Sequence, residues 1–125
     1  MELTHFDEHG NARMVDVSEK DITSRSARAV GSILVNEEIL HKIEQSDMKK
    51  GDVLGVARIA GIMGVKKTSD LIPLCHPLMI NMVNIDFDVD RANCLIYAYC
   101  TVKCNGKTGV EMEALTGVNI CLLTI

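Results

Sequence analysis

The chain has 125 residues, 47% of them apolar and 24% charged, which is enough for one globular domain with its own core. Two Phe, two Tyr and no Trp make that core aliphatic and argue against base stacking on aromatic side chains. A formal charge of −4 argues against a general nucleic-acid or anionic-membrane binder. No apolar run approaches membrane length and the start, MELTHFDEHG, is not a signal peptide, so a cytoplasmic protein is expected. Its five cysteines, odd in number and without a C-x-x-C pair, should then be free thiols.

In chain order, the run 14–17 (MVDV) predicts a short strand closed by Ser18, and 27–35 mixes small and β-branched residues as a strand does. Asn36 can cap a helix running to about Gln45, with Ile39, Leu40 and Ile43 on one face. Asp52 can cap a second helix over 53–63, apolar nearly all round except for Arg58. Such a helix is buried, either centrally or partly by another subunit. Val83, Ile85, Phe87 and Val89 alternate with polar residues, Arg91-Ala92-Asn93 turns the chain, and Cys94, Ile96, Ala98, Cys100, Val102 and Cys104 share one face of a return strand. Most of the cysteines are thus small core residues. Thr108-Gly-Val-Glu111 has the form of a capping box opening a last apolar helix. Strands and helices are grouped rather than strictly alternating, which predicts an α+β domain with an antiparallel sheet. There is no repeat or linker, so 1–125 reads as a single domain.

Three stretches could carry chemistry. In DLIPLCHPL (70–78) the residue before each proline, Ile72 and His76, is held extended. Neighbours in an extended run point to opposite sides, so Cys75 and His76 should diverge and neither share a metal nor form a nucleophile–base pair. A zinc site also needs three or four protein ligands, and no metal site is expected. The loop reads either as a rigid connector or as a stiff, preorganised binding element. Lys49-Lys50 precede the second helix and Lys66-Lys67 follow it. Lys50, beside another cation and next to Gly51, could act as a general acid or base. A continuous helix would hold Lys50 and Lys66 about 24 Å apart, too far for one small ligand within one chain. Glu111 and Glu113 suit the start of a helix, or could accept the paired N–H donors of a guanine or pterin edge.

MVDVS (14–18), KGDV (50–53), ARIAGI (57–62), DLIPLCHPLM (70–79) and GKTGVEMEALT (106–116) together resemble the cyclic pyranopterin monophosphate synthases, the molybdenum cofactor biosynthesis protein C family, from about Leu3 to Ile125. The resemblance implies a lyase that rearranges 3′,8-cyclo-7,8-dihydro-GTP to cyclic pyranopterin monophosphate with release of pyrophosphate, without a cofactor. It also implies a ferredoxin-like α+β fold with helices on one face of the sheet, and a hexamer built as a trimer of dimers with sites between subunits. By resemblance Lys50 is the catalytic lysine, Leu74, Cys75 and His76 form the substrate-binding loop, and Met112 with Glu113 forms a second binding element. Glu111, Arg25 and Lys66 fall on positions lining the same pocket. The family pattern continues beyond LLTI (122–125) with a helix carrying a catalytic aspartate and lysine. The sequence therefore reads as truncated at the C-terminus, and a catalytically impaired binding module is the alternative expectation.

Overall fold

The computed structural model describes residues 4–45 and 52–125. The alternation at 83–89 and 96–104 does what period-2 patterns do: it forms a hairpin with one apolar face. Its arms are β2 (Ile80–Asp90) and β3 (Leu95–Gly106), and β3 pairs on its other side with β1 (Thr23–Leu34), so the sheet order is β1-β3-β2. Both neighbours are antiparallel to β3, in register from Thr23↔Gly106 to Leu34↔Leu95 on one side and from Val83↔Val102 to Asp90↔Leu95 on the other. The connection from β1 to β2 is therefore a crossover, made by α1 (Glu37–Glu44), α2 (Val53–Lys66) and the single turn α3 (Thr68–Leu71). With α4 (Glu111–Thr124) after β3, this is the ferredoxin-like α+β arrangement.

The core lies between the sheet and the pair α2 and α4. Ala98, Cys100, Val102 and Cys104 on β3 are closed off from solvent by Ala57 and Val65 of α2 and by Ala114, Val118 and Cys121 of α4. Cys100, Cys104 and Cys121 are core residues as expected, and burial pushes the Cys100 and Cys121 thiols up to about 11. The two helices cross where both carry glycine. A Cβ on Gly61 would stand 3.0 Å from the Gly117 carbonyl, and one on Gly117 would stand 2.7 Å from Cys100 Sγ and Val65 Cγ2. Arg58, the one charge inside α2, turns out to the sheet edge, where its Nε donates to the Ile85 carbonyl at 3.0 Å and its guanidinium lies over the Phe87 ring.

Asn36 and Asp52 are N-caps as expected, accepting from the backbone N–H of Ile39 and Gly55 respectively. A second cluster, Leu40, Ile43 and Ile96, seats α1 at one end of the sheet. Ile39 departs from the expected face and is exposed, because a helix at a sheet end contacts the core along one narrow row. Several other expectations are corrected. β1 begins four residues earlier than its hydrophobic pattern, at Thr23, since pairing with β3 rather than apolar content sets its length. α2 continues to Lys66, three residues past the expected end. Cys94 belongs to the hairpin turn, in the left-handed region at φ 54°, rather than to the strand. The run 14–17 forms no strand and joins neither edge of the sheet, although β1 and β2 are both edge strands.

The capping box is also absent. The cap of α4 is Val110, which is fully buried and gives no side-chain hydrogen bond, while the Thr108 hydroxyl donates to the Gly109 carbonyl. Burial of Val110 sets where the helix begins, which leaves Glu111 at the first helical position instead of the third. No helix of the described residues is long and apolar enough to cross a membrane.

Candidate active site

The stretch 70–78 is not one extended run. Ile72 is extended before Pro73, as a residue before proline must be, but Leu74 then takes φ 69° and reverses the chain. A leucine in the left-handed region is strained. Cys75 and His76 both line one cavity. They still meet different neighbours there. Cys75 lies near Glu113, and its thiol is raised by burial and by that carboxylate. His76 lies near Asp16, whose carboxyl is held low chiefly by hydrogen bonds from Ser18, with His76 and Lys107 adding to the effect.

The cavity encloses about 220 Å³. One wall is the loop residues Leu74, Cys75 and His76 together with Glu111, Met112 and Glu113 from the first turn of α4. The other wall comes from the segment before β1, through His5, Val15, Val17 and Lys20. This explains the unpaired alternation at 14–17: its valines face the cavity and its aspartate faces water. The Glu111 carboxylate folds back over Gly109, where a Cβ would meet it.

Two sequence-predicted binding residues do not line this cavity. Arg25 reaches across from β1, donating from Nε to the Gly106 carbonyl at 3.4 Å and from Nη2 to the Lys107 carbonyl at 3.5 Å, so it braces the chain that leads into α4. Lys66 is exposed at the end of α2. Lys50, the expected catalytic lysine, lies outside the described residues. Among the described residues there is no group of three or more His, Cys, Asp or Glu side chains that could hold a metal ion. His5 and Lys20 were not legible as site residues. Lys20 stands between Glu19 and Asp21 and reads as part of a solvated turn.

Glu113 is 5% exposed, and burial pushes its carboxyl above the usual carboxylate range, with Glu111 adding to the rise. Such a group holds its proton more tightly folded than unfolded. Its contribution to stability is therefore complete below the unfolded pKa of about 4.3 and is lost as pH rises through the folded value. At pH 7 the ionised carboxylate costs stability that a neutral amide would not. Glu113→Gln should accordingly raise Tm at pH 7 by roughly 3–5 °C, the shift that about 1 kcal/mol gives in a domain of this size. Thermal melts from pH 7 down to about pH 4 should show the gap closing; a gap that stays constant would show that charge burial is not its cause.

A stiff loop, one buried and one exposed carboxyl and two histidines around a small cavity define an α+β enzyme that takes a small-molecule substrate. The chain belongs to the MoaC family, whose model matches residues 14–125. It is 55% identical over 124 residues to a cyclic pyranopterin monophosphate synthase of Natranaerobius thermophilus, covering 99% of this chain and 78% of that protein. The corresponding proteins of Cereibacter sphaeroides and Clostridium botulinum, with the same name, are 55% and 57% identical over 123 residues, covering 98% of this chain and 77% of theirs.

Proposed function

We propose that this chain, as one catalytic domain, works in molybdenum cofactor biosynthesis in the cytoplasm, converting 3′,8-cyclo-7,8-dihydro-GTP to cyclic pyranopterin monophosphate with release of pyrophosphate. The observation that carries the reading is the convergence of two distant motifs, 74–76 and 111–113, on one cavity in a chain more than half identical to proteins of that name. The cavity's chemistry supports it. The desolvated Glu113 carboxyl favours a ligand that brings N–H donors, as a guanine or pterin edge does, because those donors replace the hydration that burial removed. Opening and reclosing the purine ring requires proton transfer, for which Lys50 and His76 are suitable groups. Expelling pyrophosphate when the cyclic phosphate forms requires cations such as Arg25 and Lys66.

The site is completed by a second copy, within a hexamer arranged as a trimer of dimers. Its cavity is smaller than the ~300–1,000 Å³ of sites that bury a drug-sized ligand, and Lys66 is not in it. The outer side of α2 exposes Val56, Ile59 and Met63, an apolar stripe of the kind that packs against another subunit. The experiment that tests this mixes two variants, Lys50→Ala and Lys66→Ala, each expected to be inactive alone on the cyclised nucleotide. Mixed oligomers should regain part of the activity, since one interface can then receive both intact lysines. If subunit exchange is demonstrated and no activity returns, the shared site is wrong.

A further inference from the structure

A small hairpin, residues 4–13, stands at the rim of the cavity. The Asp7 N–H donates to the Asn11 carbonyl at 2.8 Å and the Arg13 N–H to the His5 carbonyl at 2.7 Å, on either side of the Phe6–Ala12 pair. Asp7 builds the turn. Its Oδ1 accepts from the His9 and Asn11 N–H groups at 2.9 Å each, and its carbonyl accepts from the Gly10 N–H at 3.1 Å. Gly10 supplies the left-handed φ of 80° that the reversal needs. Arg13 Nε closes the open end on the Thr4 carbonyl at 3.2 Å. Among the described residues, every one of these bonds stays within the hairpin.

Thr4 and His5 line the cavity and are exposed at the same time, which places them at its rim. The Arg13–His5 bond sets His5 beside the start of 14–17, whose Val15 and Val17 form the same wall. A cavity of about 220 Å³ is below the ~300 Å³ at which sites begin to bury a drug-sized ligand, so part of a nucleotide-derived ligand passes this rim. An imidazole there offers one donor and one acceptor to the polar group that passes it. A hairpin bonded only within itself adds little to the stability of the core, but it fixes where His5 stands. We infer that His5 is a further substrate-contacting residue, and that the 4–13 hairpin is the clasp that holds it at the rim, with Asp7 as a positioning residue acting through His5. The inference rests on the proposed reading of the cavity as a nucleotide-derived substrate site, and adds to it a residue and the element that carries it.

Calorimetric binding of GTP to the whole chain, with hydrogen exchange of the hairpin amides, tests it. His5→Ala should weaken GTP about 3- to 10-fold, the loss expected for one hydrogen bond. Asp7→Ala should weaken it by a similar factor, although Asp7 does not line the cavity, and Asp7→Asn should bind as the parent does because it keeps the accepting oxygen. The double variant His5→Ala with Asp7→Ala should bind no more weakly than either alone, since both changes remove one contact. Glu8→Ala, exposed on the same turn, should change nothing. GTP should slow exchange of the Asp7, Asn11 and Arg13 amides in the parent and not in His5→Ala, and all the variants should melt with the parent. Parental binding by His5→Ala, or amides that GTP leaves unprotected, would overturn the assignment while leaving the site reading intact. Losses that add in the double variant, or a fall in Tm that accompanies weaker binding, would overturn the positioning role of Asp7. Failure of the parent chain to bind GTP would overturn the site reading and this assignment together.

Discussion

Replacing His76 by alanine should lower kcat/KM for the cyclised nucleotide about 10- to 100-fold, whereas Cys75→Ser should retain at least about a tenth of the parental value. The two residues are adjacent on one stiff loop, so the contrast isolates side-chain chemistry from loop position. His76 presents an imidazole to the cavity and can orient or exchange a proton with a ligand polar group. Cys75 is poorly placed to be a nucleophile. Burial and the neighbouring Glu113 both raise its thiol, which leaves little thiolate at neutral pH. A serine of similar size should therefore serve almost as well. Steady-state kinetics of both variants provide the check. Complete inactivation by Cys75→Ser with binding retained would instead establish covalent catalysis, and parental kinetics for His76→Ala would return the loop to a structural role.

Gly117→Ala should destabilise the fold by about 1–3 kcal/mol, the usual cost of adding a methyl group to a filled core. The added Cβ would stand 2.7 Å from both Cys100 Sγ and Val65 Cγ2, well inside van der Waals contact, and both of those residues are buried. α4 would have to move away from α2 and from β3 at once. Alanine is the better helix former by roughly 1 kcal/mol, so the measured loss is net of that gain. Urea denaturation of the parent and the variant gives the difference directly. Because α4 also carries Glu111, Met112 and Glu113 into the cavity, ligand binding should weaken in the same variant. A variant as stable as the parent would show that the α2–α4 crossing has slack.

The sequence by itself determined the secondary structure wherever a period was long and the turn chemistry plain. The β2–β3 hairpin, the capped starts of α1 and α2, the core cysteines and the α+β class follow from alternation and from Asn36 and Asp52 alone. The loop and glutamate motifs likewise marked most of one cavity wall, because each is a contiguous stretch whose residues stay together in the fold. The tertiary structure decided what depends on partners distant in sequence. The run 14–17 alternates as a strand does, yet it joins neither edge of the sheet, and its valines form part of a cavity wall instead. The start of α4 depended on burial of Val110, which overrode a capping box that was locally plausible. Lys20 and Arg25 show the same limit at the site. An acidic sequence neighbourhood hid the lysine that reaches the cavity, and a basic residue expected to line it braces the backbone of Gly106 and Lys107, 81 and 82 residues away. Local pattern specifies which groups a segment can form; which cavity a charge faces is set by long-range packing.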